Sequence, residues 1–277
     1  KDYVIGLSRE GQSITLEPGN QIELSGAKLN SIHLNCSESY KYLDELRKAC
    51  KKLNLKMMSV SFDPFTKLEN APQTPKQRYE IMTKEMPKDG KLSLHMMYQT
   101  CGTQINLDYI SEKDFIKKFK LSSFLAPISI AIFANSPIIE NRLSGYLSYR
   151  SKVWQNTSRA GLPNFFLEDM DFEKYTDFVI NMPLLFVFKN SKHLDAKGKN
   201  FKDFMDGKLP ILKNIKPNIV DFNNHLATIF TEVRLKKYIE IRSLDTCEWD
   251  CHCSGIAFYV GLLYANLNEA FHIISKW

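Results

Sequence analysis

The sequence lacks an apolar run long enough to cross a lipid bilayer. Its longest apolar stretches, residues 125–134 and 256–265, fall short of the roughly 20 residues that a membrane-spanning helix needs. It also lacks a dense block of Lys and Arg with interleaved aromatic residues. The net charge of +6 permits an anionic ligand such as a nucleotide but does not favour a polynucleotide. We expect neither a membrane nor a nucleic acid as a partner.

Cysteine is scarce, with six residues in a chain of 277. This is not the disulfide framework of a small secreted protein, so a reducing, cytoplasmic compartment is expected. The chain has no internal repeat, low-complexity stretch or clear linker, and its length can bury a large core. We therefore expect one domain over residues 1–277. A strand-like run over residues 3–7 follows Lys1 directly, which is typical of a fragment or a processed chain.

The most informative stretch covers residues 232–245. Its second half alternates, so that Tyr238, Glu240 and Arg242 share one face of a predicted strand. One interpretation is a lateral ion pair on a solvated face, worth ~0–1 kcal/mol. The other is a cation site beside an anion site, in which Glu240 binds a hard cation and Arg242 binds the anion. The spacing alone favours the ion pair.

Residues 12–25 are predicted to form a β-hairpin with Pro18, Gly19 and Asn20 as its turn. In that register Glu17 lies opposite Gln21, and both share a face with Glu23. Two carboxylates on one face repel each other unless a cation or a base lies between them. The alternative is a solvated outer face without a ligand.

A second polar strand face is predicted over residues 100–109, where Gln104 and Asn106 alternate with apolar residues. An amide-rich face suits recognition of a small polar ligand, with a solvated sheet face as the alternative. Arg78 lies near the start of a helix that Thr74 is predicted to cap. A cation gains nothing from that end of the helix dipole, which raises the expectation of an external anionic partner, although a plain surface arginine stays the favoured interpretation.

The remaining pattern predicts mixed helices and strands. Apolar periodicity predicts helices over residues 35–53, 111–135, 172–179, 201–205 and 255–274, and strands over residues 56–62 and 184–188. Residues 135–162 are predicted to be a long loop, in which Arg150 and Trp154 are the candidates for function because long loops in compact domains are often functional.

Six stretches in one order resemble glutamate–cysteine ligases of the plant and proteobacterial type, as does the run Tyr238-Ile-Glu-Ile-Arg-Ser-Leu-Asp245. They are Ser13-Ile-Thr-Leu-Glu-Pro-Gly-Asn-Gln-Ile-Glu-Leu-Ser-Gly26, Pro75-Lys-Gln-Arg-Tyr-Glu-Ile-Met82, Met97-Tyr-Gln-Thr-Cys-Gly-Thr-Gln-Ile-Asn-Leu-Asp108, Phe133-Ala-Asn-Ser-Pro137, Gly145-Tyr-Leu-Ser-Tyr-Arg-Ser-Lys-Val-Trp154 and Asn224-His-Leu-Ala-Thr-Ile-Phe-Thr-Glu-Val-Arg-Leu-Lys-Lys-Tyr238.

This resemblance implies an α+β fold in which a curved, mainly antiparallel sheet has helices packed behind it, as in the catalytic domain of glutamine synthetase. It implies an enzyme that uses ATP and Mg²⁺ to join the γ-carboxylate of L-glutamate to the amine of L-cysteine through a γ-glutamyl phosphate, the first step of glutathione synthesis. It allows a homodimer, and it implies a bacterial cytosol or, for a plant protein, the plastid stroma.

The resemblance also implies roles for individual residues. Arg242 would hold the transferring phosphoryl group as the catalytic cation and nucleotide contact, and Arg234 and Lys236 would bind nucleotide phosphates. The Mg²⁺ ligands would be Glu17, Glu23, Gln104 and Glu240. The substrate would be bound by Arg78, Asn106, Arg150 and Trp154.

Cys36 and Cys253 stand where this family often carries a redox-responsive disulfide, with two buried thiols as the alternative. The neighbouring Cys247, Cys251, His252 and Cys253 suggest zinc, but their spacing is cramped and no second ligand cluster exists. Where members of this family usually carry Trp-Arg-Arg, this chain has Trp249-Asp250-Cys251. Any anion contact that those two arginines make in the family is therefore in doubt here.

The sequence also lacks the Gly-Thr-Glu-His-Glu-like strand and the full C-terminal region of the family. Two alternatives therefore stay open. One is an inactive ligase-like module that binds an amino acid or nucleotide without turnover, and the other is a related ligase that uses a different amine.

Overall fold

Antiparallel strand pairs and helices of mixed length make this an α+β fold, as the sequence predicts. The computed structural model of the protein describes residue 4, residues 6–248 and residues 251–276. Tyr3 and Ile5 of the predicted first strand, and the Trp249–Asp250 pair, lie outside the described residues. Within the described part, no helix is both long and apolar enough to cross a bilayer.

The helices α1–α10 are Ile32–Lys52, Gln77–Glu85, Ser93–Gln99, Glu112–Ile132, Tyr149–Gln155, Phe172–Asn181, Phe201–Met205, Ile219–Leu226, Ser254–Val260 and Leu267–Ile274. The strands β1–β12 are Gly6–Arg9, Gln12–Leu16, Ile22–Ser25, Thr103–Leu107, Ile138–Ile139, Arg142–Leu143, Ala160–Gly161, Phe186–Lys189, Lys192–Asp195, Phe230–Thr231, Val233–Leu235 and Ile239–Leu244.

Two three-stranded antiparallel sheets carry most of the residues of interest. One has the order β1-β2-β3, and the other has the order β11-β12-β4, with β12 in the centre. The hairpins β5-β6 and β8-β9 and the parallel pair β7-β10 complete the pairing found in the described residues. The strands described here are thus divided among separate small sheets, and one continuous curved sheet is not seen among them.

Several local predictions are confirmed in detail. In the first hairpin Leu16 pairs with Ile22, and Glu17 N donates to Gln21 O at 2.8 Å, so the predicted register is correct. Ser111 caps α4 by accepting a hydrogen bond from Asp114 N. Asn200 caps α7 with a complete capping box. These features depend on local hydrogen bonds, which a short stretch of sequence is sufficient to specify.

The largest core cluster lies between the β11-β12-β4 sheet and the helices α4, α9 and α10. Phe115 and Phe119 of α4 pack there with Ile239 and Ile241 of β12, and all four side chains are buried. A second cluster surrounds Trp154 and Tyr79. The central strand β12 is therefore covered on both faces, and its polar side chains are buried with it.

Three helix predictions are wrong at their ends. Helix α1 starts earlier than predicted, because Ser31 rather than Asn35 or Ser37 accepts the capping hydrogen bond, from His33 N. Thr74 does not cap α2, because its hydroxyl contacts the Glu17 carbonyl oxygen in the first hairpin. The predicted C-terminal helix is interrupted by a π-helical turn over Gly261–Ala265, which separates α9 from α10.

Two other predictions are overturned by tertiary pairing. Residues 56–62 do not form a strand, because only Phe62 forms a bridge, to Thr100. The segment from 135 to 162 is not a continuous loop, because it contains β5, β6, α5 and β7. Arg150 and Trp154 therefore lie on a helix, which is capped by Ser148 accepting from Ser151 N.

Candidate active site

The centre of the candidate site is a row of side chains across the β11-β12-β4 sheet. Glu240 of β12 pairs with Arg234 on one neighbouring strand and with Asn106 on the other. Cross-strand partners place their side chains on the same face of a sheet. The predicted alternation of β12 is thereby confirmed, but the predicted solvated ion pair is not, since Glu240 and Arg242 are both buried, whereas Asn106 of β4 is exposed.

Three cations surround the Glu240 carboxylate. Arg234 contacts Oε2 with two nitrogens, Arg242 Nη1 lies 3.3 Å from the same oxygen, and Lys236 Nζ lies 3.1 Å from Oε1. Burial by itself raises the pKa of Glu240, but these three cations outweigh it and hold the pKa well below its usual range. Glu240 is therefore ionised, and the cluster carries an excess of positive charge suited to an anionic ligand.

Arg242 extends this cluster toward β4. Its Nη1 donates to Gln104 Oε1 at 2.8 Å, and its guanidinium lies 5.3 Å from the centre of the Trp154 ring. Burial, and then the neighbouring Arg234, lower the pKa of Arg242 to about 10. Among the described residues, no atom accepts a hydrogen bond from its Nε. A buried guanidinium with an unused donor is suited to an external anion.

Arg150 also contacts the indole ring of Trp154. Its guanidinium is 4.2 Å from the Trp154 ring, and its Nη2 donates to the Arg242 carbonyl oxygen at 2.7 Å. The side chain exposes only 2% of its surface. Two guanidinium groups thus contact one aromatic ring, which is a favourable arrangement because the ring face is electronegative.

Asp245 fixes this corner of the site, although the sequence analysis gave it no role. Its carboxylate accepts hydrogen bonds from Asn135 N, Ser136 Oγ and Ser148 Oγ, and lies 3.8 Å from Arg150 Nη1. The segment before α5 is therefore attached to the end of β12. The signal in the sequence was the position of Asp245 at the end of the alternating strand.

The first hairpin contributes the two predicted carboxylates. Glu17 accepts hydrogen bonds from Thr15 Oγ1 at 3.0 Å and from Tyr79 Oη at 3.1 Å. Burial, and then the charge of Glu17, raise the pKa of Glu23, while the charge of Arg242 opposes the shift. The pKa of Glu23 thus depends on charged groups near both sheets. Glu23 therefore lies close enough to Arg242 and Glu240 for their charges to influence its pKa.

The hairpin is attached to the rest of the site by side chains that the sequence analysis left without a role. Gln21 Nε2 donates to the carbonyl oxygens of Met97 and Thr100, at 3.1 and 3.2 Å, just before β4. Lys76 Nζ donates to Leu16 O at 2.7 Å. These bonds hold β2 and β3 beside β4 and α2. No local sequence signal could have identified them, because their partners are backbone groups far away in the chain.

Arg78 borders a cavity of about 250 Å³. The cavity is lined by Arg78, Met82, Phe186, Phe188, His193, Asn224, Ala227, Thr228 and Phe230. Phe230 is shared with the Glu240 cluster, because the Arg242 guanidinium lies 5.9 Å from its ring. Within the described residues, Arg78 Nε is buried without a hydrogen-bond partner. A cation at the edge of an apolar, partly aromatic cavity suits a small organic anion.

The predicted residues therefore fall into three groups. Glu240, Arg234, Lys236, Arg242 and Gln104 are in direct contact, and Asn106 lies on the same strand row as Glu240. Glu17 and Glu23 lie on the hairpin, and the charges of Arg242 and Glu240 influence Glu23. Arg78 borders the cavity, and Arg150 contacts Trp154 and the Arg242 carbonyl oxygen. In the part of the chain that the structure covers, no group of three or more His, Cys, Asp or Glu side chains is close enough to hold a metal ion.

Glu232 is a further buried acid that the sequence analysis did not assign. It exposes 2% of its surface, and burial raises its pKa, against the charges of Arg150 and Arg242. Its Oε2 has no hydrogen-bond partner in the described residues. The signal available in the sequence was the position of Glu232 at the start of the stretch 232–245.

Cys36 and Cys253 form a disulfide with a Cα–Cα distance of 5.8 Å, which confirms the predicted pairing. The bond joins α1 to the residue that precedes α9. Because the Cys253 sulfur is bonded to Cys36, it is not available as a zinc ligand in this state.

Comparison with known proteins gives a consistent result. The sequence model of glutamate–cysteine ligase family 2 matches residues 3–277. Glutamate–cysteine ligase B, chloroplastic, of Oryza sativa subsp. japonica is 45% identical over 282 residues, covering 100% of this chain and 57% of that protein. The chloroplastic glutamate–cysteine ligases of Nicotiana tabacum and Arabidopsis thaliana are 43% and 44% identical over 281 residues, covering 100% of this chain and 54% of each. The chain spans about half the length of the curated relatives that it matches.

Proposed function

The chain belongs to glutamate–cysteine ligase family 2, and from this premise we propose that the protein joins the γ-carboxylate of L-glutamate to the amine of L-cysteine with consumption of ATP, the first step of glutathione synthesis. The observation that carries the proposal is the cluster of Arg234, Lys236 and Arg242 around the buried Glu240, together with the influence of Arg242 and Glu240 on Glu23 of the hairpin. Transfer of a phosphoryl group to a carboxylate brings anions together, and positioned cations lower its barrier.

In the proposed reaction, ATP phosphorylates the γ-carboxylate of glutamate and ADP leaves. The cysteine amine then attacks the acyl carbon, a C–N bond forms, the C–O bond to phosphate breaks, and the amine loses a proton. We assign the transferring phosphoryl group to Arg242, which has an unused Nε donor among the described residues. Arg234 and Lys236 would attract the nucleotide phosphates by their charge. For Arg234 we propose charge rather than a hydrogen bond, because its Nη1 already donates to Ala227 O and Ile229 O.

The donors present fit a hard cation best at Glu17 and Glu23. Their mutual repulsion and the burial of Glu23 raise its pKa, and a bound cation would remove that repulsion. Mg²⁺, when bound, neutralises the charge of the reacting phosphates. Glu240 fits less directly, because its two oxygens are already in contact with cations. Its predicted role as a ligand, and that of Gln104, stay predictions.

For the glutamate substrate we propose the cavity beside Arg78, with the guanidinium binding the α-carboxylate. Asn106 is exposed on the sheet face that carries Glu240 and is available to a substrate. Trp154 and Arg150 would contact the substrate from α5, where both lie close to Arg242. In this proposal Arg150 acts on the substrate from a fixed position, because its guanidinium is held by the Arg242 carbonyl oxygen.

The test of this function is an assay for ADP release from the complete protein, with and without each amino acid. We expect release only when glutamate and cysteine are both present. Arg242→Ala should reduce turnover at least a hundredfold, as expected when a charge-stabilising group is removed. Arg142→Ala is the matched control, because Arg142 is an exposed arginine whose side chain is 72% accessible. Release that does not depend on either amino acid would refute the proposal.

A second candidate is a ligase-like module that binds ligand without turnover. It is favoured by the contacts that both Glu240 oxygens already make with cations, which leave this carboxylate less free to bind a metal ion. Calorimetry that shows glutamate or nucleotide binding by a chain without ADP release would identify it. Replacing cysteine by other amines in the same assay decides whether a related ligase activity is present instead.

We extend the proposal to the complete protein in three respects. The opposed three-stranded sheets would be parts of one curved, glutamine synthetase-like surface, supported by the influence of Arg242 and Glu240 on Glu23. The relatives are named as chloroplastic enzymes, which favours the plastid stroma over a bacterial cytosol for this protein. A homodimer stays a prediction, which sedimentation analysis would test.

A further inference from the structure

A ring of three buried hydroxyl groups lies on the core side of β12. Ser129 Oγ of α4 is 2.8 Å from Ser243 Oγ of β12, and Tyr259 Oη of α9 lies 2.9 Å from Ser129 Oγ and 3.3 Å from Ser243 Oγ. Ser129 donates its own proton to the Ala126 carbonyl oxygen at 2.9 Å. It therefore accepts from the other two hydroxyls. Ser243 and Tyr259 each donate to Ser129, so their own contact at 3.3 Å is without a donated proton.

The ring lies where the pairing of β12 with β4 slips. Ile241 pairs with Ile105 and Leu244 pairs with Thr103, so β12 advances one residue more than β4. Such a bulge disrupts the hydrogen-bond ladder locally and changes the direction of the side chains around it. Arg242 and Ser243 are the residues within this bulge. The direction of the Arg242 side chain thus depends on the conformation of a segment that β4 does not hold.

The carbonyl oxygens of the bulge are used by Arg150. Its Nη2 is 2.7 Å from Arg242 O, and its Nη1 is 3.5 Å from Ser243 O. The bulge therefore determines both the direction of Arg242 and the place of the Arg150 guanidinium. On the opposite face, the side chain of Ser243 donates to Ser129 Oγ, and Tyr259 Oη donates to the same oxygen and lies 3.3 Å from Ser243 Oγ.

We propose that Ser129 and Tyr259 are positioning residues for the two arginines of the site. The Ser129 hydroxyl holds Ser243, and the Tyr259 hydroxyl holds Ser129 in place. Ser243 keeps the bulge in the conformation that presents its carbonyl oxygens to Arg150 and directs Arg242 toward Gln104. Neither residue borders the site itself. The hydroxyl of Tyr259 is also suited to this part because burial raises its pKa to about 12, so it keeps its proton at neutral pH.

The first test does not depend on enzymatic activity. Trp154 contacts both guanidinium groups, so its indole N–H signal in NMR spectra reports on their positions. Trp249→Phe and Trp277→Phe variants assign that signal. We expect it to shift in Ser129→Ala and in Tyr259→Phe. Ser123→Ala is the matched control, because Ser123 is an equally buried serine of α4 that donates only within its helix, to Phe119 O.

The second test is kinetic and rests on the proposed function. We expect the glutamate KM to rise about threefold to tenfold in both variants, as for the loss of one neutral hydrogen bond, and to stay constant in Ser123→Ala. An unchanged Trp154 signal together with an unchanged KM in Ser129→Ala would refute the inference, even if Tyr259→Phe fails to fold. If the wild-type protein shows no turnover, the proposed function fails, and the NMR result alone still decides this inference.

Discussion

Gly102 lies directly against the guanidinium of Arg150: a Cβ atom added to Gly102 would be 2.9 Å from Arg150 Nε. Real Cβ atoms essentially never approach a heavy atom so closely, so one of the two groups would have to move. The Arg150 side chain cannot move freely, because it is bonded to the Arg242 carbonyl oxygen and stacked on Trp154. The absence of a side chain at residue 102 is therefore part of the site.

The first prediction concerns this contact. Gly102→Ala should lower the free energy of unfolding by about 1–3 kcal/mol, as for overpacking against the buried Arg150 side chain, and should raise the glutamate KM. Urea unfolding and steady-state kinetics measure the two effects. Gly261→Ala is the control, since a Cβ atom there meets no atom within 4 Å. Equal stability and equal KM in both variants would show that Arg150 can shift without consequence.

The second prediction concerns the charge balance around Glu240. Glu240→Gln leaves Arg234, Arg242 and Lys236 together without an anion, so we expect a loss of about 3–5 kcal/mol in the free energy of unfolding at pH 7. The matched control is Glu45→Gln, which removes the carboxylate of an exposed ion pair with Arg9 and should cost little.

The same variant has a defined pH dependence. The pKa of Glu240 is lower in the folded protein than in the unfolded chain, so its contribution is complete above the ordinary value of 4.5 and is lost as the pH falls below it. The difference between wild type and Glu240→Gln should therefore shrink in acid. A difference that stays constant from pH 7 to pH 3 would contradict the ionised state assigned to Glu240.

The third prediction concerns Glu23, whose pKa is raised in the folded protein. A raised pKa means that the stability contribution is present below the unfolded value and is lost as the pH rises through the folded value. Glu23→Gln should thus be more stable than wild type at pH 7 without Mg²⁺, and equal to it in acid. Thermal unfolding over a pH series measures this difference.

If Glu17 and Glu23 bind Mg²⁺, its addition at pH 7 should make the wild type more stable than Glu23→Gln. Wild type should gain thermal stability from the cation, whereas Glu23→Gln should gain less. Glu168→Gln, which removes an exposed carboxylate, should respond as wild type does. The same gain in all three proteins would place the Mg²⁺ site elsewhere.

The fourth prediction concerns the disulfide, which links residues separated by 217 positions in the sequence. Cys36→Ser should lower the free energy of unfolding by about 2–5 kcal/mol under oxidising conditions. A reducing agent should lower the stability of the wild type by a similar amount and leave Cys36→Ser unchanged. Cys50→Ser, a free cysteine on the same helix, should behave as wild type. Insensitivity of the wild type to reduction would show that the bond does not form in solution.

The sequence was most informative where structure depends on neighbouring residues. The hairpin register that places Glu17 opposite Gln21, the Ser111 and Asn200 caps, and the alternation that places Glu240 beside Arg242 all follow from spacing and local hydrogen bonds. The segment around Arg150 was predicted wrongly as a loop. Its helix is held by Asp245, a residue about 100 positions away, and no local pattern contains that information.

By itself, the sequence determined the α+β class, the acidic face of the first hairpin and the family to which the chain belongs. Only the tertiary structure decided that the polar face of β12 is buried, that Arg150 is bonded to backbone rather than free, and that a hydroxyl ring lies behind the β12 bulge. The reason is physical. Spacing specifies which side chains share a face, but burial and hydrogen-bond partners depend on which distant segment packs against that face.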